Sequence, residues 1–168
     1  DFHASRSQQE FIKDTLHVVS LCFSHMNGAD SIASYLAKKG TRPYDFLIYR
    51  QLGDLNISKE RLSNAVESYR AFIKSTLGYP QTVLLQQKII DAYKKPEFSA
   101  QRLQEKEEFM RIYRQYEARL TGSIPKSYSE HVFFEDQKAR ENIVAFLKEN
   151  IEDLARYYHA DAQQTTQK

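Results

Sequence analysis

Apolar residues along this chain recur at steps of three and four, the repeat of one face of an α-helix. Over about 7–26, Phe11, Leu16, Val19, Cys22 and Phe23 form an apolar side that Ile12 and Val18 widen. Asn27 and Gly28 then supply the residues that tolerate the left-handed end of a helix. A short helix capped by Asp30 or Ser31 follows as far as Lys39, with Ile32, Tyr35 and Leu36 inward. Gly40 ends it and Pro43 opens the next, the usual asymmetry of these two residues. Helices are predicted over about 44–56, 59–76 and 81–94, with Ser58 as the cap of the middle one. Lys95 and Pro96 break the pattern, and Ser99 caps a long helix to Leu120 with a stripe of Phe109, Tyr113, Tyr116 and Leu120. After a connecting loop over 122–131, a last amphipathic helix is expected over about 132–160. Ala139, Ile143, Phe146, Leu147, Ile151 and Leu154 make its face. Residues 1–6 are expected to fray and 161–168 to be disordered.

The stretch 49–80, YRQLGDLNISKERLSNAVESYRAFIKSTLGYP, holds two of these helices and a short polar turn. Gly53 lies inside the first, where glycine costs about 1 kcal/mol against alanine. Such a glycine marks close approach of another helix. Ala65, Tyr69 and Phe72 share one face of the second. The pair reads as a helical hairpin with no obvious chemistry on it.

Composition agrees with an all-α chain. Five glycines and four prolines in 168 residues are too few for the turns of an all-β fold. Hydrophobic residues are 41% of the total, enough for a folded core. A net charge of +2, with acids and bases interleaved, describes a solvated helix surface rather than a nucleic-acid footprint. One cysteine, Cys22, excludes an internal disulfide. No apolar run approaches the ~20 residues of a membrane span. The chain starts at Asp1 and is read as a mature or excised piece.

The paired helices prompt a search for a repeat. Shifting 49–80 by 37 residues places Arg50 on Gln87, Asp54 on Asp91, Phe72 on Phe109 and Thr76 on Tyr113. Shifting it by 33 toward the N-terminus places Leu52 on Val19, Gly53 on Ser20, Ala65 on Ile32 and Tyr69 on Leu36. Two helices per period of this length suit a solenoid whose units bury their faces on one another. The pattern Tyr49, Leu52-Gly53, Ala65, Tyr69 resembles the tetratricopeptide repeat (TPR). Asn56 and Phe72 stand where that family usually has tyrosine and a small residue, and Pro80 comes late. The phrases RPYDFLIYRQLGDL, AVESYRAFIK and IIDAYKKPEFSAQRLQEKEEFMRIY are similar to TPR proteins of Gram-negative envelopes of the BamD-like type.

The resemblance implies antiparallel helix pairs over 1–121, stacked as a short right-handed superhelix, with the last helix capping it. It also implies a scaffold without catalysis, periplasmic or envelope-associated, with the cytoplasm as the alternative. The first helix of each TPR pair lines the concave groove. That assigns Leu47, Arg50, Asp54 and Ile57 to its wall, followed by Gln87 and Asp91. Asp54 and Asp91 would repel a carboxylate ligand, so a mixed or basic protein segment is the expected partner. The competing reading is a solvated face in which Arg50 and Asp54 pair at i,i+4. An alternative function is a helical oligomerisation module, with a homodimer formed through the C-terminal helix.

Other chemistries find little support. His17, Cys22 and His25 share one helix, but nothing completes a four-ligand metal site. No nucleophile elbow, phosphate loop or dinucleotide fingerprint is present. Glu107-Glu108 and Glu135-Asp136 are adjacent in sequence and so point to different sides of a helix. The tyrosines at helical spacing, Tyr44, Tyr49, Tyr69, Tyr93, Tyr113 and Tyr116, read as seam residues with buried rings and wet hydroxyls. No metal, cofactor, nucleic acid or catalytic residue is assigned.

Overall fold

The structure, a computed structural model, describes residues 5–39, 45–122 and 137–166. Among them it is all-α: seven α-helices, one short 3-10 turn and no strand. The chain divides into two compact units, Asp1–Ser75 and Thr76–Lys168.

The first unit contains α1 (Arg6–His25), α2 (Gly28–Lys39), α3 (Asp45–Ser58) and α4 (Leu62–Ser75). Ser5 caps α1 with a reciprocal box: its Oγ accepts from the Gln8 N–H, and the Gln8 side chain accepts from the Ser5 N–H. Helix α2 starts at Gly28, two to three residues before the expected caps, and Ser31 Oγ accepts from the Asn27 N–H instead. Helix α3 packs against both α1 and α4, and α2 packs against α4. Ile48, Tyr49, Leu52 and Leu55 of α3 meet Ala65, Val66, Tyr69, Phe72 and Ile73 of α4 in a continuous core.

Gly53 fulfils its expected part. A Cβ placed on it would overlap the Tyr69 ring, so the absence of a side chain lets α4 lie against α3. In α1 the buried position is Ser20, while Phe11 and Val18 stay exposed. Ser20 and Ser24 bond their hydroxyls to the helix's own carbonyls, at Leu16 and Leu21. With their hydroxyls turned inward they present a small surface to the neighbouring helix, as Gly53 does on α3. The expected apolar side of α1 is therefore only partly its packed side.

The link from α3 to α4 corrects a predicted cap. Ser58 lies in the last turn of α3 and donates to the Leu55 carbonyl, so it does not start α4. The chain turns at Glu60, whose φ of 58° is left-handed. The Arg61 N–H bonds to Asn56 O at 2.9 Å and the Glu60 N–H to Ile57 O at 3.0 Å. Together these form a Schellman end, with glutamate in the place glycine usually takes.

The second unit contains α5 (Pro80–Ala92), a 3-10 turn (Pro96–Phe98), α6 (Ser99–Leu120) and α7 (Gln137–Thr166). Pro80 occupies the first position of α5, where its missing N–H costs nothing. Ser99 is the first residue of α6 rather than its cap, because the 3-10 turn runs directly into the helix and Phe98 takes the cap position. Helices α5, α6 and α7 pack pairwise. Leu85, Ile89, Ile90, Phe109, Ile112, Tyr116 and Ile143 are buried within the unit. Helix α7 continues through 161–166, a stretch expected to be disordered, with hydroxyl and amide bonds at Thr165 and Gln163 along it. The expected connection over 122–131 lies, apart from Gly122, outside the described residues, as do Gly40, Pro43 and Tyr44. No described helix is long and apolar enough to cross a membrane.

Candidate functional site

The helical period places Leu47, Arg50, Asp54 and Ile57 on one side of α3, opposite its buried Ile48, Leu52 and Leu55. Leu47, Arg50 and Asp54 are half-buried, and Ile57 is 41% exposed. Two of the four are fixed by their neighbours. The Arg50 guanidinium lies over the Phe46 ring, 5.3 Å from its centre, and Arg50 Nε is buried without a hydrogen bond. Stacking holds the side chain in line while its terminal nitrogens keep their donors.

Asp54 is tied to α4. The Tyr69 hydroxyl donates to Asp54 Oδ1 at 2.6 Å. Burial, and then this carboxylate, push the Tyr69 hydroxyl far above the ordinary tyrosine range, with Arg50 opposing. The phenol is thus a permanent donor near neutral pH, and one oxygen of Asp54 is permanently engaged. The same α3–α4 seam raises Tyr49 to about 12, chiefly by desolvation and then by Asp45 and Asp30. The face of α3 is a mixed strip: an aliphatic residue at each end, with a stacked cation and an anchored anion between.

In the second unit the two assigned positions part company. Gln87 is 3% exposed. Asn150 Nδ2 of α7 donates to its Oε1 at 2.9 Å, and its own amide donates to Asp91 Oδ1 at 3.2 Å. Helix α7 covers this side of α5, so Gln87 is a core residue and not a groove residue. Asp91 is exposed, and Lys94 pairs with it at 2.9 Å. An exposed pair of this kind contributes about 0–1 kcal/mol and leaves the local charge near zero.

Around Gln87 the second unit carries a polar network that sequence reasoning missed. Gln86 Nε2 donates to both the backbone and the side chain of Glu105, at 2.9 and 2.8 Å. Lys106, buried, pairs with Asp153 of α7. The Lys106 ammonium holds the Asp153 carboxyl below its usual range against the opposing effect of burial. Tyr158 donates to Glu107, and Arg119 lies 3.7 Å over the Tyr79 ring. One signal was readable. Asn150 falls between Ile143, Leu147 and Leu154 on the inner side of α7, and an amide in such a register calls for a buried partner.

Cys22 is exposed, and among the described residues no three histidine, cysteine or acidic side chains come close enough to hold a metal ion. Comparison with protein-family models, with characterised proteins and with solved structures returns no match to this chain.

Proposed function

We propose that this chain is a non-catalytic interaction scaffold of TPR-like build, binding a protein segment along the half-exposed face of α3. The carrying observation is that strip itself. Leu47, Arg50, Asp54 and Ile57 line one side of a helix whose opposite side is locked into a core. Rigid helices reduce the ordering cost of binding. The stacked Arg50 and anchored Asp54 select a partner of mixed charge, and Leu47 and Ile57 supply apolar contact.

The TPR-like reading draws support from burial in the first unit. Ser20 and Gly53, equivalent at the shift of 33, are both buried small residues, and Ile32 and Ala65 are both fully buried. Helix α1 packs on α3 as α2 packs on α4, first on first and second on second. The resemblance to envelope TPR proteins makes a bacterial envelope complex the setting of this proposal. Gln87 has no part in the partner site.

Arg50→Glu with Ile57→Asp tests this reading. Both positions reach the surface, and neither holds the core. Substituting Asp54 would be uninformative, because it also undoes the Tyr69 bond. Cross-linking of the intact chain in envelope extract, read by mass spectrometry, should yield partner peptides joined near α3, and the double variant should lose them. Equal cross-links from both proteins would remove the α3 face as the site.

One observation favours a homodimer as the second reading. Val144, Ile151 and Tyr158 of α7 recur every seven residues and remain 61%, 45% and 50% exposed. With the half-buried Leu147 and Leu154 they have the spacing of two heptads of a coiled-coil seam. Light scattering of Val144→Asp/Ile151→Asp decides it: a wild-type dimer that becomes a monomer supports the seam, and an unchanged mass removes it. Deleting the whole of α7 would not serve, since it also uncovers Gln87 and Lys106.

A further inference from the structure

A cavity of about 700 Å³ opens inside the first unit between α2 and α4. It exists because small side chains face each other there. Gly28, Ala29 and Ala33 of α2 stand across from Ser68 and Ala71 of α4. Its size falls within the range of ligand pockets. Small side chains alone make a gap and not a site. Asn56 supplies the second observation.

Asn56 comes from α3, on the side opposite the strip of Leu47 and Asp54. It lines the cavity, is only 3% exposed, and its carboxamide makes no hydrogen bond with the described residues. The amide is reached from the cleft rather than sealed in the core. An occupant of the cavity that offers an N–H and a C=O would satisfy it, and a peptide group offers both.

The charged residues around the cavity add length and polarity. Asp30 and Glu67 are acidic, Arg70 and Lys74 basic, so the lining has no net charge. On α4 the acidic Glu67 and the basic Lys74 are seven residues apart, which is about 10 Å along a helix. Three extended residues span about the same distance. We infer that the α2–α4 cleft binds a short peptide of about three residues with free ends. Its ammonium lies toward Glu67 and Asp30, its carboxylate toward Lys74, and a central peptide group pairs with Asn56. Small side chains suit it, since Ala71 and Ser68 leave room for the chain and little more.

The test is an NMR titration of the intact chain with trialanine. Saturable shifts in the millimolar range are expected, confined to Asn56, Glu67, Ser68, Ala71 and Lys74. Ala71→Leu fills the cleft and should weaken binding by about tenfold or more, with the unfolding midpoint little changed. Asn56→Leu should do the same, and Lys74→Ala should weaken binding severalfold. If Asn56→Leu fails to fold, the Ala71 and Lys74 variants still decide. N-acetyl-trialanine amide, which lacks both charges, should bind about tenfold more weakly. Equal binding of the blocked peptide overturns the recognition of free ends. No saturable shift with trialanine, or shifts indifferent to Ala71→Leu, overturns the site. Arg50→Glu/Ile57→Asp should leave the titration unchanged, so failure of the α3 face and failure of this cleft are separable.

Discussion

At Gly53 a single missing side chain sets the distance between two helices. Alanine there would gain about 1 kcal/mol of helix propensity. It would also drive a methyl into the Tyr69 ring, which is fully buried and held by its bond to Asp54. Overpacking of this kind costs about 1–3 kcal/mol, so net of that gain Gly53→Ala should destabilise the first unit by up to about 2 kcal/mol. Urea unfolding followed by circular dichroism measures it; a gain in stability would mean that the ring moves freely. Glu60 presents the opposite case. Its left-handed conformation costs a non-glycine residue about 1 kcal/mol. Glu60→Gly should therefore stabilise by about 0.5 kcal/mol after the added freedom of the unfolded chain is offset, while Glu60→Ala should not. Tyr49 gives a pH dependence. Its folded pKa is raised from 10.0 to about 12, so the unfolded chain loses this proton first. Its contribution is complete below the ordinary tyrosine value and declines as pH rises from about 10 to 12. Tyr69 is raised further still, so Tyr49→Phe should reduce the alkaline slope in a pH series of unfolding free energies without abolishing it.

Helix α7 meets α6 through an ion pair whose two ends differ in burial. The Lys106 side chain is 6% exposed and that of Asp153 is 36% exposed. Removing the carboxylate strands a buried ammonium, whereas removing the ammonium leaves a carboxylate that water reaches. Asp153→Asn should thus cost about 1–3 kcal/mol, and Lys106→Met should be close to neutral. The reverse order, read from urea midpoints, would show that the lysine escapes to solvent when unpaired. Such a pair shows why elements were legible and their joins were not. The spacing of Phe109 and Tyr116, or of Ile143 and Leu147, marks a helix and its inner side without reference to any neighbour. What Lys106 touches depends on a residue 47 positions away on a helix whose approach no local pattern encodes. Gln87 misled for the same reason: a glutamine among apolar residues reads as a surface position until Asn150 arrives to bond it. Ser58 and Ser99 misled locally, since a hydroxyl at a helix boundary serves either side of it. Only the backbone bonds at Asn56 and Phe98 decide. On α3 the periodicity separates the buried Ile48, Leu52 and Leu55 from Leu47, Arg50 and Asp54, which are only half-buried because α1 and α4 both pack on this helix. The anchoring of Asp54 by Tyr69 joins two helices and was not readable.

Each of the two units of the chain owns a core. In the first, Leu52, Tyr69 and Phe72 are buried among α1–α4; in the second, Leu85, Ile89, Phe109 and Ile143 are buried among α5–α7. A chain with two compact units can open one of them without the other. A change confined to one core should lower the opening energy of that unit first. Gly53→Ala supplies the perturbation, and native-state hydrogen exchange supplies the readout. Amides of α3 and α4 should exchange faster in the variant by the factor that its unfolding energy predicts, about tenfold for 1.4 kcal/mol. Amides of α5 and α6 should change by much less. The converse should hold for Asp153→Asn, with α6 and α7 loosened and α3 protected as before. Equal acceleration across both units in both variants would mean that the chain opens as one cooperative body. The α3 strip would then be coupled to the packing of α7, and a partner bound at Arg50 would protect the amides of α6.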